Sequence, residues 1–203
     1  MTTTPEKGEN WGILGGTFDP VHTGHITLAN DICIAKGLDG VLLVPAGNHP
    51  FKEGTIYASF EDRVQMLKLA VANHDCLGVS KIEQQNNLSG YTLDTIRAVK
   101  KRHPGVTFYF IIGADNISQI RNWHRFEKIF DEIHIVAGTR PSYTLDHHGD
   151  AVLSRIEFVE TSAVNVSSSE IRQLIGQGGD LSVLDRWVGS EIKEYIIRRK
   201  LYR

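Results

Sequence analysis

Several things are scarce in this chain, and each scarcity removes a class of function. Only two of its 203 residues are cysteines, Cys33 and Cys76, each set among apolar neighbours. That setting suits neither a disulfide scaffold nor a thiolate metal site and reads as buried, reduced thiols. Basic residues show no excess: 22 Lys and Arg stand against 24 Asp and Glu, a formal net charge of −2 at pH 7. Sequence-independent nucleic-acid binding needs a basic surface, so no nucleic-acid partner is expected. Nor is there an apolar run near the roughly 20 residues that a helix needs to cross a bilayer. The first ten residues, MTTTPEKGEN, lack the apolar core of a signal peptide. The expectation is a cytoplasmic protein with no membrane partner, its residues 1–10 a flexible tail.

What the chain does have is the apolar content of a packed globular protein, 41% of its residues, arranged in a regular alternation. A short apolar run at 12–14 is followed by a helical pattern over 26–35, with Ile26, Ala29 and Cys33 on one face. Val41-Leu42-Leu43-Val44, closed by Pro45, is the continuous apolar run of a strand buried on both faces. Phe60, Val64, Leu67 and Val71 then fall at helical spacing, before a strand over 77–82 and a helix over 92–101 stopped near Pro104. A β-branched and aromatic strand covers 106–112. A helix over about 116–130, broken near Asn122, and strands over 133–137 and 155–159 complete the series. Such repetition predicts an α/β fold: a Rossmann-like open, mostly parallel sheet with helices on both faces. Residues 11–203 are expected to make a single domain, with 166–203 as its C-terminal helical part. Ligands of such sheets bind beyond the carboxyl ends of the strands. That gathers Gly15-Gly16, Pro45-Ala46-Gly47, Gly113-Ala114-Asp115 and Gly138-Thr139-Arg140 at one crevice.

One segment carries most of the chemistry: Gly15-Gly16-Thr17-Phe18-Asp19-Pro20-Val21-His22-Thr23-Gly24-His25. It joins the first strand to the first helix, where glycines allow close backbone approach and free N–H groups suit a phosphate. It matches neither Gly-x-Gly-x-x-Gly nor Gly-x-x-x-x-Gly-Lys-Ser/Thr, so two common nucleotide motifs are excluded here. His22 and His25 share one face of the first helical turn and could donate to phosphoryl oxygens. A bound phosphate would favour their protonated forms. A zinc site would need further ligands at compatible positions, and the other histidines form no such pattern. A second segment, Val166-Ser167-Ser168-Ser169-Glu170-Ile171-Arg172, has capping-box spacing between Ser167 and Glu170 and so begins a helix. Its hydroxyls and Arg172 would serve only that cap, or form a second anion cradle.

With both segments in view, the chain resembles the nucleotidyltransferase superfamily marked by (T/G)-x-F-D-P-x-H-x-G-H early and I/V-S-S-S/T-x-x-R late. Within it the likeness is to the bacterial nicotinate-nucleotide adenylyltransferases. Gly90-Tyr91-Thr92-Leu93-Asp94-Thr95, Phe110-Ile111-Ile112-Gly113-Ala114-Asp115, Trp123, Arg140-Pro141 and Leu201-Tyr202-Arg203 support it. The resemblance implies transfer of the adenylyl group of ATP to nicotinate mononucleotide, giving nicotinate adenine dinucleotide and pyrophosphate, a step of NAD biosynthesis. It implies His22, His25 and Arg172 as catalytic residues. Around ATP and its phosphates it implies Gly15, Gly16, Thr17, Phe18, Asp19, Gly113, Asp115, Ser168 and Ser169. Around the mononucleotide it implies Lys52, Tyr91, Thr92, Trp123 and Arg140. Trp123 would stack on the pyridine ring, and the helix start at Tyr91 and Thr92 would receive the ring's carboxylate. The cofactor implied is Mg2+, held mainly by substrate phosphates rather than by a protein ligand set. The partners are ATP and nicotinate mononucleotide, with a homo-oligomer as an open possibility.

One departure bears on the acceptor. The family's loop after the second strand carries Pro-Pro-His-Lys/Arg, whereas this chain reads Pro45-Ala46-Gly47-Asn48-His49-Pro50-Phe51-Lys52. Phe51 stands at the histidine's place, with His49 nearby. Nicotinamide mononucleotide as acceptor, a phosphopantetheine adenylyltransferase and a non-catalytic nucleotide-binding regulator remain alternatives. The intact set of His22, His25 and Arg172 argues against the regulator, and the Tyr91, Thr92 and Trp123 context against the phosphopantetheine enzyme.

Overall fold

The computed structural model describes residues 4–47, 56–139, 150–162 and 164–203; His49, Phe51, Lys52 and Arg140 lie outside them. Among the described residues six strands form one sheet: β1 (Asn10–Gly16), β2 (Gly40–Pro45), β3 (Leu77–Val79), β4 (Thr107–Gly113), β5 (His134–Thr139) and β6 (Ile156–Glu160). Their order is β3-β2-β1-β4-β5-β6, and every neighbouring pair is parallel. The helices are α1 (Thr23–Lys36), α2 (Phe60–Val71), α3 (Ile82–Gln85), α4 (Thr92–Arg102), α5 (Phe126–Glu132), α6 (Ser168–Gly176), α7 (Leu184–Trp187) and α8 (Ser190–Arg199). The Rossmann-like α/β expectation holds.

The strand residues dictate two covering layers. In β2, Val41 and Leu43 enter one core with Ala29 and Ile32 of α1 and Leu67 of α2. Leu42 and Val44 enter the other with Leu93, Ile96 and Val99 of α4. In β4, Phe108, Phe110 and Ile112 face the α4 side, and Ile111 faces the α1 side. Alternation of apolar side chains to both faces is what an all-parallel sheet requires, because neither face meets water. Cys33 is buried and Cys76 half-buried, both free thiols. Burial and the neighbouring Cys76 push the Cys33 thiol up to about 12, so it is inert.

Three elements differ from expectation. The helix over 116–130 divides: Ala114–Asn122 is a 3-10 helix, Trp123 is extended, Arg125 has φ 54°, and α5 starts only at Phe126. Its buried positions Ile117 and Ile120 are three apart, the period of a 3-10 turn. The strand over 77–82 ends at Val79, since β3 is an edge strand with one neighbour, and Ile82 opens α3 instead. The N-terminal segment is tied in at its inner end. Gly8 N–H donates to Gly105 O at 2.9 Å, Asn10 N–H to Asp39 Oδ2 at 2.8 Å, and Asn10 already pairs with Thr107 in the sheet. Among the described residues no helix is long and apolar enough to cross a membrane.

Chain order reverses between β1 and β4. Helices that follow parallel strands start at the strands' carboxyl edge, so helix N-termini collect there.

Candidate active site

A cleft of about 810 Å3 opens at this reversal. Gly15, Gly16 and Thr17 from the end of β1, His22 and His25 from the start of α1, and Gly113 and Asp115 after β4 line it. Tyr91 and Thr92 at the start of α4, Trp123, and Ser167 at the cap of α6 complete the set.

The turn over 15–19 is shaped from below. A Cβ on Gly16 would lie 3.0 Å from the Phe18 ring, which is itself buried. Asp19, 3% exposed, directs its carboxylate into the fold. It accepts from Tyr57 N–H at 2.8 Å, Ala58 N–H at 3.0 Å and the Tyr202 hydroxyl at 2.9 Å. Burial and then the Asp19 charge push the Tyr202 phenol above its ordinary range, so it stays a donor. Phe18 and Asp19, expected around the ATP phosphates, therefore support the turn and do not line the cleft.

His22 and His25 lie together, ring centroids 3.7 Å apart. His25 Nδ1 accepts the His22 N–H at 3.3 Å, which puts the neutral ring's proton on Nε2. Phe18 packs edge-on against His25 at 4.9 Å. His22 is 9% exposed, and its Nδ1 is buried without a hydrogen-bond partner among the described residues. Gly24 makes room for that ring: a Cβ there would lie 3.1 Å from His22 Nδ1. Burial lowers His22 to about 4, opposed only in part by Glu170. Burial and then His22 hold His25 well below the usual imidazole range. Both rings are neutral at pH 7 in this state, and an anion beside them shifts both toward the charged form. An unpartnered buried nitrogen is costly, and clefts that keep one tend to be functional.

The late motif forms the expected capping box. Ser167 Oγ accepts Glu170 N–H at 3.2 Å, and the Glu170 carboxylate accepts Ser167 N–H at 2.8 Å. Ser168 Oγ donates to Pro20 O at 2.9 Å and Arg172 Nη1 to Asp19 O at 2.7 Å, fastening α6 to the glycine turn. Arg172 also donates to Ser169 Oγ at 3.2 Å and lies 4.8 Å over the Tyr57 ring. Ser169 and Arg172 face a smaller hollow of about 380 Å3 beside the turn, while Val166 and Ser167 of this motif line the main cleft.

On the opposite wall Trp123 packs edge-to-face on Phe110 at 6.0 Å. His124 stacks on Tyr91 at 4.4 Å. Glu83, 6% exposed, accepts the Thr95 hydroxyl at 2.6 Å and the Gly47 N–H at 2.8 Å. Burial raises the Glu83 carboxyl, against the pull of Thr95, Gly47 and Arg63. Arg63, 2% exposed, donates to Thr17 O at 2.8 Å and Ala46 O at 2.9 Å. Sequence reading missed His124, Glu83 and Arg63. For Arg63 a signal existed, a charge beside Val64 and Leu67 on the apolar face of a helix.

Known proteins share this architecture. The cytidylyltransferase-like family matches residues 13–174. A Rubrobacter xylanophilus protein named "Probable nicotinate-nucleotide adenylyltransferase" is 37% identical over 95% of this chain and 91% of its own. A Corynebacterium glutamicum protein of the same name is 34% identical over 100% of this chain and 93% of its own. A solved structure, "Plasmodium falciparum nicotinic acid mononucleotide adenylyltransferase complexed with NaAD", has the same fold, with a TM-score of 0.78 at 22% identity. The match covers 96% of this chain and 97% of that one. The chain therefore belongs to the cytidylyltransferase-like family and, within it, to the nicotinate-nucleotide adenylyltransferases.

Proposed function

We propose that the chain transfers the adenylyl group of ATP to nicotinate mononucleotide, forming nicotinate adenine dinucleotide and pyrophosphate in NAD biosynthesis. The observation that carries this reading is the histidine pair. Two neutral imidazoles, one with a buried nitrogen unpartnered among the described residues, stand at a helix N-terminus on a cleft that the starts of α4 and α6 also reach. Three positive helix ends suit a reaction between anions.

A phosphate oxygen of the mononucleotide attacks the α-phosphorus of ATP. The bond from that phosphorus to the α,β-bridging oxygen breaks, and pyrophosphate leaves with the electron pair. The attacking monoester is already an anion at neutral pH, so no side chain has to remove a proton. The protein's tasks are alignment and charge neutralisation. His25 offers its Nε2–H to a phosphoryl oxygen, and His22 becomes a second donor as the phosphate draws a proton onto it. The amides of Gly15, Gly16 and Thr17 border the reacting phosphates, with Gly113 and Asp115 on the nucleoside side. Ser168, Ser169 and Arg172 hold the departing pyrophosphate end beside the turn, and Lys52 and Arg140 contribute cations. The pyridine ring lies against Trp123, its carboxylate at the amides of Tyr91 and Thr92.

A Mg2+ ion would supply further neutralisation of the triphosphate. Among the described residues no group of three or more His, Cys, Asp or Glu gathers to hold a metal, and Asp19 already accepts three hydrogen bonds. Such an ion would therefore take phosphate oxygens and water as ligands.

Pyrophosphate release, measured in parallel with ATP–Mg2+ and nicotinate mononucleotide, nicotinamide mononucleotide or phosphopantetheine, tests the reading. Nicotinate mononucleotide is expected to give the highest kcat/KM. Release with none of the three, or preference for another acceptor, would contradict the proposal.

A further inference from the structure

Two buried charges, Glu83 in the cleft wall and Arg63 bonded to the lining residues Thr17 and Ala46, have no part in the chemistry above. Arg63 on α2 and Glu83 on α3 are 2% and 6% exposed. Burying such groups is unfavourable unless specific partners compensate. Arg63 Nη2 donates to Ala46 O at 2.9 Å, and Glu83 Oε2 accepts the Gly47 N–H at 2.8 Å. Ala46 O and Gly47 N–H belong to one peptide unit, so that plane is gripped at both edges by opposite charges. Among the described residues Arg63 Nε has no hydrogen-bond partner, and the guanidinium is held by its two carbonyl bonds.

The grip extends in both directions. Arg63 Nη1 donates to Thr17 O at 2.8 Å, in the turn that carries the phosphate-facing amides. Glu83 Oε1 accepts the Thr95 hydroxyl at 2.6 Å, and Thr95 N–H bonds Tyr91 O at 3.2 Å within the first turns of α4. Ala46 N–H donates to Gly16 O at 2.9 Å. A continuous path of hydrogen bonds thus runs from Thr17, on the histidine side, to the helix start that carries Tyr91 and Thr92. These bonds add a polar link to the apolar packing of α4 on β2, made by Leu42, Val44, Leu93 and Ile96.

We infer that Arg63 and Glu83 are positioning residues. By gripping the Ala46–Gly47 peptide between them, they fix the separation between the phosphate turn and the start of α4. They thereby set where the mononucleotide lies relative to the reacting phosphates. This rests on the assignment of the mononucleotide to Tyr91, Thr92 and Trp123. In-line transfer loses rate steeply when the reactants are displaced by about 1 Å, so the separation is a catalytic quantity.

The test compares wild type with Thr95→Val, Glu83→Ala, the double variant and Glu83→Gln. The readouts are kcat, both KM values and Tm, together with hydrogen exchange at the Gly47 amide in ligand-free protein. Each single variant should lower kcat and raise KM for nicotinate mononucleotide, each about ten-fold, with KM for ATP within about two-fold of wild type. The double variant should be no worse than the worse single, because both substitutions break one path. Glu83→Gln keeps an acceptor for Gly47 N–H and a donor for Thr95 Oγ1, and should recover most of the loss. Gly47 exchange should rise several-fold in Thr95→Val, although that substitution sits on α4. The inference is overturned if the two KM values rise in parallel, if the effects multiply in the double variant, or if Gly47 exchange in Thr95→Val matches wild type. The exchange arm needs no substrate, so a wild type without turnover would refute the proposed function while leaving this arm decisive.

Discussion

At His22 the fold holds an imidazole in its neutral form, near a pKa of 4, one ring away from His25. The ring has its place only because position 24 carries no side chain. Gly24→Ala puts a methyl 3.1 Å from His22 Nδ1 and Cε1, so the ring must give way by a few tenths of an ångström. Alanine in a helix is otherwise about 0.5–1 kcal/mol better than glycine. The variant should therefore keep or gain stability by denaturant unfolding while kcat falls about ten-fold or more. Unchanged kcat would mean the ring's orientation is irrelevant. At this scale the histidines were legible from residue type and spacing, whereas Tyr91 and Trp123, which also line the cleft, came forward only through the family resemblance. Asp19 was legible as important but not in its role, because one of its acceptors meets Tyr202 at the far end of the chain. Arg63 left one trace, its place on the apolar face of α2, while its backbone partners have no sequence signature; Glu83 left none, being held by a backbone N–H and a hydroxyl on another helix.

The elements were easier to read than their joints. Continuous apolar runs fixed β2 and β4, and the Ser167–Glu170 spacing fixed the start of α6. The 3-10 helix over Ala114–Asn122 was missed because its core-facing positions 117 and 120 fit a period of 3.0 about as well as 3.6. The C-terminal helix has a task that composition could not reveal. Tyr195 and Arg199 of α8 both donate to Asp62 Oδ1 on α2, at 2.8 and 3.0 Å, and Tyr202 just beyond reaches under the glycine turn to Asp19. Tyr202→Phe removes one of three hydrogen bonds to a buried carboxylate. It should lower unfolding free energy by about 1–2 kcal/mol and reduce kcat modestly, since Tyr57 and Ala58 still hold Asp19. Equal denaturant midpoints for variant and wild type would rule out that anchoring role.

For the whole molecule, the order β3-β2-β1-β4-β5-β6 explains why residues from opposite ends of the sequence share one cleft. The reversal between β1 and β4 leaves a crevice that parallel topology must edge with helix N-termini. The same burial that prepares the histidines makes the protein acid-sensitive. His22 titrates near 4 when folded against 6.5 for the free side chain, and His25 is lowered in the same sense. The unfolded chain thus takes up these protons first as pH falls. The stability linked to neutral burial is complete above about pH 6.5 and is lost progressively as pH falls through about 4. Tm should decline over that window, and less steeply in His22→Gln, which has no proton to gain. Parallel Tm profiles for the two proteins would show that the His22 ring is not held neutral by burial.

The central claim is that the histidine pair stabilises charge on the phosphate being transferred. Its most direct test is the steady-state rate of pyrophosphate release from ATP–Mg2+ and nicotinate mononucleotide by wild type and His25→Ala. The predicted result is a kcat about 10²–10³-fold lower, with KM for both substrates within a few-fold and Tm close to wild type. A His25→Ala enzyme turning over within a few-fold of wild type would contradict the account.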